Sequence, residues 1–261
     1  MSGPEVYPVP QPPAPVPPIE DPPWSGWDVV ALAFITFFTI IACIFVTAYV
    51  AHLRFFPGSP WIDALKRPEV IVAGQLLAYL FILILMYKLV SSHSHGRVLA
   101  SVQWNWPASW NTYLIAGIGL AIVLVPLGNL LPMPKDVPID EFFRTARDAY
   151  ILSLFGVFFA PVFEEVFFRG LLYPVVARRF GFYPAIVITA ILFAFIHASQ
   201  LKYSWGPVLI IFLVGVALTT VRAIKRSLAA TILMHMAYNG TIFVTTYIVT
   251  DGFRHMEKFN Q

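Results

Sequence analysis

The side chains of this chain that could do chemistry are ionisable groups placed inside apolar segments. Glu164, Glu165 and Arg169 lie in the segment 149–180, which has no other charge before Arg178. A charged side chain at the centre of a membrane helix costs about 2.5–3.5 kcal/mol on insertion scales, so it faces other helices and is a functional candidate by default. The chemistry is therefore expected to begin at these residues.

The spacing of the three residues divides them into two roles. Glu165 and Arg169 are four residues apart, so on a helix they share a face and form an ion pair. Glu164 projects about 100° away from Glu165 and does not share that partner. One carboxylate is thus neutralised, while the other is free to take and return a proton. Pro161 lacks a backbone donor and is expected to loosen the helix beside Glu164.

Two later apolar segments each carry a histidine. His197 lies alone on its helix, with Phe193 one turn before it as packing support, and His235 shares a helix face with Asn239. A histidine opposite a carboxylate can hold a water molecule, and paired His and Asn donors suit the stabilisation of an oxyanion. Each feature alone also fits a buried ion network or an interhelical hydrogen bond. The three features in succession favour one site.

The composition indicates which elements position these side chains. Hydrophobic residues make up 58% of the 261 residues, charged residues make up 12%, and the mean hydropathy is +0.74. These values exclude a soluble globular enzyme and predict an all-α, polytopic transmembrane helix bundle. The long runs without charge, together with the segment of the glutamates, give seven spans: 29–53, 70–87, 112–131, 149–180, 180–201, 203–221 and 227–250. An eighth span is predicted only if 98–110 or 136–150 enters the bilayer.

Four regions follow from this pattern. Residues 1–27 form a Pro-rich tail that is expected to be disordered, because such a composition favours extended conformations and cannot bury a core. Residues 28–148 contain the N-terminal transmembrane helices and interfacial segments. Residues 149–250 are the expected catalytic core, and residues 251–261 form a C-terminal tail.

Several other chemistries are excluded by the sequence. Cys43 is the only cysteine, so the chain contains no disulfide and no cysteine-based metal site of its own. His-Glu-x-x-His and Gly-x-Ser-Gly are absent, and the aspartates lie outside the span centres, which removes zincin, rhomboid-type and paired-aspartate sites. The net charge of +3 is dispersed along the chain, so no nucleic-acid partner is expected.

Three motifs in a fixed order carry a resemblance to a known family. The segments Glu164-Glu165-x-x-x-Arg169, Phe193-x-x-x-His197 and His235-x-x-x-Asn239 resemble the CAAX protease and bacteriocin-processing family. This family, also called CPBP or Abi, includes the Ras-converting CAAX endopeptidases. The resemblance covers about residues 149–250.

The resemblance implies a glutamate-dependent intramembrane endopeptidase, a type of enzyme that was once labelled a metalloprotease. The archetypes remove the last three residues from prenylated CAAX proteins. By this resemblance Glu164 activates a water molecule with the help of His197, while His235 and Asn239 form the oxyanion hole. Glu165 and Arg169 would support the site.

The expected function is hydrolysis of peptide bonds in membrane-anchored peptides or proteins within the lipid bilayer. Two alternatives remain at this point: a proton-coupled transporter that uses the same Glu and His groups, and a non-catalytic scaffold that binds partners through its tail. No cofactor is expected, although Glu164, His197 and His235 could hold a divalent metal such as zinc. The expected location is the plasma (inner) membrane, as an integral multi-pass protein.

Overall fold

A computed structural model of the protein describes residues 20–132, 134, 143 and 145–255. Within these residues seven helices are long and apolar enough to cross a membrane. They are α1 (Gly26–Phe55), α2 (Pro68–Ser94), α3 (Trp110–Asn129), α4 (Ala146–Phe180), α5 (Phe182–Leu201), α6 (Trp205–Lys225) and α7 (Leu228–Val249). No β-strand occurs in the described part of the chain, so the predicted all-α membrane bundle is confirmed.

The segment 98–110 does not add an eighth span. It contains one helical turn, Val98–Ser101, followed by turns and irregular backbone that lead into α3. Most of 136–150, the other candidate, lies outside the described residues, and its last residues are the first turn of α4. A capping box of Thr145 and Asp148 begins this helix, which therefore starts three residues before the predicted span.

Large apolar side chains cover the outer surface of the bundle. Phe34, Phe38, Ile122 and Phe195 are each more than half exposed, although they lie within the spanning helices. An exposed apolar surface of this extent is stable only where lipid replaces water. The protein is therefore an integral multi-pass membrane protein.

Some pairs of helices approach closely at glycines. A Cβ atom on Gly117 of α3 would lie 2.2 Å from the Met234 carbonyl oxygen of α7. A Cβ atom on Gly74 of α2 would lie 2.8 Å from the Ile44 Cα of α1. Small residues at such crossings let helices pack closely in a membrane, where packing supplies much of the attraction between them. The crossing at Gly117 lies directly beside His235.

Helix α4 changes its winding twice around the two glutamates. Its two π-helical turns, Phe155–Phe159 and Val166–Leu172, flank a short α-helical segment, Ala160–Glu165. The residue after each turn donates its N–H five residues back, from Ala160 to Phe155 and from Tyr173 to Phe168. A proline follows immediately both times, and because proline has no N–H it cannot continue the regular ladder.

The described part of the predicted disordered tail is packed against the bundle. Residues 1–19 lie outside the described residues, but Glu20 and Trp24 are buried and α1 already begins at Gly26. The last residues of the predicted tail, from Glu20 on, are therefore in contact with the helices. Composition did not reveal this, because Trp24 is held by a contact with Leu171, which is 147 positions away in the chain.

Candidate active site

The α-helical segment between the two π-helical turns presents Glu164 and Glu165 to different surroundings. The Glu165 side chain is 0% exposed and lies 2.9 Å from Arg169, Oε1 to Nη1, so the predicted ion pair is present. The Glu164 side chain is 14% exposed. The carboxylate that is free of Arg169 is thus also the one that water can reach.

Arg169 is held by α6 as well as by Glu165. Its Nε donates to Thr219 Oγ1 at 3.2 Å, and its Nη2 donates to the Gly215 carbonyl at 3.1 Å. Each of these contacts satisfies a donor of a fully buried guanidinium, which would otherwise be costly to bury. Sequence reasoning did not identify Gly215 or Thr219, because neither residue stands out in an apolar helix.

Glu164 lies between two histidines from different helices. Its Oε1 is 3.8 Å from His197 Nε2, and its Oε2 is 3.9 Å from His235 Nε2. These separations are too long for direct hydrogen bonds. A single water molecule at about 2.8 Å from both atoms fits either gap.

Both histidines are oriented through their other ring nitrogen. His197 Nδ1 lies 2.8 Å from the Phe193 carbonyl oxygen, and His235 Nδ1 lies 2.8 Å from Glu165 Oε1. A carbonyl and an ionised carboxylate only accept hydrogen bonds, so each Nδ1 carries the proton. The Nε2 atom of each ring is therefore the one that faces Glu164, and in a neutral ring it is an acceptor.

Asn239 contacts α4 instead of Glu164. Its Nδ2 donates to the Gly156 carbonyl at 2.8 Å. The N–H of Ala160 donates to the Phe155 carbonyl, five residues back. In the same π-helical register the Gly156 carbonyl would accept from residue 161, but Pro161 has no N–H to donate. Asn239 thus satisfies a carbonyl that the helix cannot. One of its two N–H groups is used in this way, and the second is left for another acceptor.

The part of the chain that contains these residues also matches a known family. Residues 146–241 match the family model described as type II CAAX prenyl endopeptidase Rce1-like. Over this segment the resemblance to the CAAX protease family that the sequence motifs predicted is confirmed. A search of curated proteins found no match, and a search of solved structures found none either.

The family segment begins at the first residue of α4 and ends inside α7. It contains every residue that the sequence predicts for the site, which are Glu164, Glu165, Arg169, Phe193, His197, His235 and Asn239. The match thus supports a CAAX-type intramembrane endopeptidase, and the matched segment lies within a bundle of seven spans.

The ring of Phe193 contacts three of the predicted site residues. The ring centroid is 5.0 Å from that of His197 and 5.9 Å from that of His235. The guanidinium carbon of Arg169 lies 4.5 Å from the same centroid, in range of a cation–π interaction. Phe193 therefore packs against both histidines and the arginine, whereas the sequence predicted support for His197 alone.

Tyr79 of α2 is a further residue beside the site that sequence reasoning did not identify. Its ring stacks on Phe163, with centroids 3.9 Å apart and planes 1° apart, and also on Phe155. Phe163 immediately precedes Glu164, so this contact fixes the segment that carries the carboxylate. The N-terminal helices therefore contribute to the position of the family residues.

A metal site was left open by the sequence. In the described ranges no group of three or more His, Cys, Asp or Glu side chains has an arrangement that could hold a metal ion.

Proposed function

We propose that this protein hydrolyses a peptide bond of a membrane-anchored substrate with a water molecule that Glu164 activates. The observation that carries the proposal is the position of Glu164 between His197 Nε2 at 3.8 Å and His235 Nε2 at 3.9 Å. The more exposed of the two glutamates is the one with this arrangement.

The first step uses Glu164 and His197. A water molecule in the gap between them donates one hydrogen to the Glu164 carboxylate and the other to the neutral Nε2 of His197. Its lone pair then faces the carbonyl carbon of the scissile peptide. Glu164 removes the proton as the C–O bond forms, which is general-base catalysis and needs no covalent enzyme intermediate.

The second step places negative charge on the former carbonyl oxygen. The remaining N–H of Asn239 and the Nε2 of His235 are the proposed donors to this oxyanion. His235 Nε2 can donate only as imidazolium, because its Nδ1–H already points to Glu165.

The last step returns the proton. Glu164, now protonated, gives its proton to the nitrogen of the leaving amine, and the C–N bond breaks. The products are a new carboxyl terminus and a new amino terminus, so atoms and charge balance without a co-reactant. Glu165, Arg169 and Phe193 take no part in bond changes and hold the histidines in place.

The substrate class follows from the location of the site. The site lies in helices that cross the bilayer, so its substrate is a peptide or protein anchored to or embedded in that bilayer. The plasma (inner) membrane is the proposed location, and fractionation of cells that express a tagged chain tests it. Recovery of the chain from another membrane would overturn the location alone.

The test of the activity is cleavage of a library of membrane-anchored peptides by the purified protein in vesicles. Mass spectrometry should find new carboxyl termini with wild type and none with Glu164→Ala or His197→Ala. In water enriched in oxygen-18, each new terminus should carry one heavy oxygen atom. Equal products from all three proteins, or no products from any of them, would overturn the proposal.

A second arm of the same test addresses the metal. The wild-type protein is dialysed exhaustively against a chelator, and its cleavage rate and metal content are measured. Activity retained after the metal has been removed supports activation of water by Glu164 without a metal ion. Activity that disappears and returns with zinc would contradict it and would assign Glu164, His197 and His235 to metal binding.

A further inference from the structure

The segment Glu20–Ser25, called here the N-terminal strap, makes buried polar contacts that the family segment does not include. Glu20 Oε1 lies 3.0 Å from Arg222 Nη1 of α6, with side chains 8% and 0% exposed. Glu20 Oε2 accepts from Gln103 Nε2 at 3.2 Å. An acidic residue from the start of the chain thus neutralises a buried arginine 202 positions later.

Glu20 is the only anionic partner of Arg222 among the described residues. The Nε and Nη2 atoms of Arg222 are buried without a hydrogen-bond partner in that part of the chain. Its guanidinium carbon also lies 5.6 Å from the Tyr173 ring centroid. Removal of Glu20 would therefore leave an uncompensated charge inside the bundle, which is among the more destabilising changes a buried ion pair can suffer.

The other end of the strap contacts α4. Trp24 is fully buried, and its Nε1 donates to the Leu171 carbonyl at 3.0 Å, within the second π-helical turn. Arg178, near the end of the same helix, donates to the Pro22 carbonyl at 2.7 Å and to the Trp24 carbonyl at 3.1 Å. The strap thus holds α4 and α6 together.

These two attachment points flank the residues that hold Arg169. On α6, Arg222 lies one turn after Thr219, whose hydroxyl accepts from Arg169. On α4, Leu171 lies two residues after Arg169. Arg169 in turn pairs with Glu165, which fixes His235. The strap, α6, Arg169 and His235 are therefore connected by a continuous series of hydrogen bonds and helical turns.

We propose that the N-terminal strap is a positioning element of the active site, in which Glu20 and Trp24 fix α6 and α4 so that Arg169 and His235 keep their geometry. The inference rests on the proposed function for its catalytic consequence. The structural consequence is independent of the proposed function: a weakened strap should make the second π-helical turn of α4 more mobile.

The catalytic test compares Glu20→Ala with Asp21→Ala in the full-length protein in vesicles. Asp21 is the matched control, because it is also acidic but 86% exposed, and its one ion pair, with Arg178 at 3.5 Å, is a solvated one that contributes little. Glu20→Ala should lower kcat about ten- to hundredfold and leave KM within about threefold, since small displacements of catalytic groups act on the chemical step. The double variant Glu20→Ala/Arg222→Met removes the unpaired buried charge but does not restore the link to α6, so it should recover thermal stability and leave kcat low.

The structural test measures hydrogen exchange of residues 166–172 in the same proteins and in Trp24→Phe, which keeps the ring and loses the N–H. Faster exchange there in Glu20→Ala and Trp24→Phe than in Asp21→Ala supports the strap even if no peptide is cleaved by wild type. Equal exchange and equal kcat in the three variants would overturn it. If the wild-type protein cleaves no peptide but the exchange rates still differ, only the proposed function is overturned.

Discussion

The side-chain amide of Asn239 donates a hydrogen bond of 2.8 Å to the backbone carbonyl of Gly156. This contact joins α7 to the first π-helical turn of α4, at an oxygen that Pro161 leaves without a helical donor. It holds the amide in a fixed orientation one turn after His235. An oxyanion donor is effective when its position is fixed before the reaction, so the contact suits the role proposed for Asn239.

Asn239→Ala should therefore lower kcat by about 10²–10³-fold, which is the usual effect of losing one oxyanion donor. Asn105→Ala is the matched control, because Asn105 also donates from Nδ2 to a backbone carbonyl, that of Arg226 at 3.0 Å. Both variants lose one amide-to-carbonyl bond, but the Asn239 bond is partly buried and the Asn105 bond is exposed, so Asn239→Ala should also lose somewhat more thermal stability. Equal kcat values for the two variants would contradict a catalytic role for Asn239.

Phe193→Leu should impair the site more than the fold. The substitution removes the ring that contacts His197, His235 and Arg169, and it keeps most of the apolar volume. We expect a loss of about 1 kcal/mol in unfolding free energy and a decrease in kcat of about tenfold or more.

The control is Phe195→Leu, two residues later on the same helix, where the side chain is 68% exposed on the outer surface. It should leave both the unfolding free energy and kcat near the wild-type values. Thermal unfolding and steady-state kinetics in the same detergent measure the two effects. A larger kcat loss at residue 195 than at 193 would show that the ring contacts of Phe193 do not matter for activity.

Gly117→Ala tests the close crossing of α3 and α7. The added methyl group would lie 2.2 Å from the Met234 carbonyl oxygen, so α7 must move and carry His235 with it. We expect lower stability by about 1–3 kcal/mol, as is usual for overpacking, together with a loss of activity. Gly119→Ala on the same helix meets no atom within 4 Å and should be nearly neutral. Thermal unfolding and cleavage rates of both variants check this, and similar values for the two would contradict the crossing.

The sequence predicted the membrane bundle and the ion pair because both depend on short-range rules. Absence of charge over about 20 residues is enough to identify a span. The i,i+4 relation of Glu165 and Arg169 on a helix is enough to place their side chains together. The ion pair is present despite the π-helical turns of α4, because Glu165 ends the α-helical segment and Arg169 lies only one turn after it.

The interhelical partners could not be predicted in the same way. The partner of His235 is Glu165, 70 positions earlier, and the partner of Arg222 is Glu20, 202 positions earlier. Such contacts depend on how helices are arranged, and a single sequence carries no signal for that arrangement. The carbonyls that accept from Arg169 and Asn239 belong to glycines, whose absent side chains leave no chemical pattern to detect.

The winding of α4 is an intermediate case. Pro161 led to the expectation of a loosened helix beside Glu164, and the structure has a π-helical turn directly before it. Pro174 stands in the same relation to the second turn, although no sequence pattern singled it out. A proline predicts a disturbed ladder, but the choice between a kink and a π-helical turn depends on neighbours such as Asn239 and Trp24.

The most direct test of the central claim is the turnover of a cleaved membrane-anchored peptide by Glu164→Gln, compared with Glu69→Gln. Both variants replace a carboxylate by an amide of the same shape, and Glu69 lies in the first turn of α2, paired with Arg67. Loss of a general base should lower kcat of Glu164→Gln about 10²–10⁴-fold with KM little changed, while Glu69→Gln should match wild type. A kcat of Glu164→Gln equal to that of wild type would contradict the assignment of Glu164 as the group that activates water.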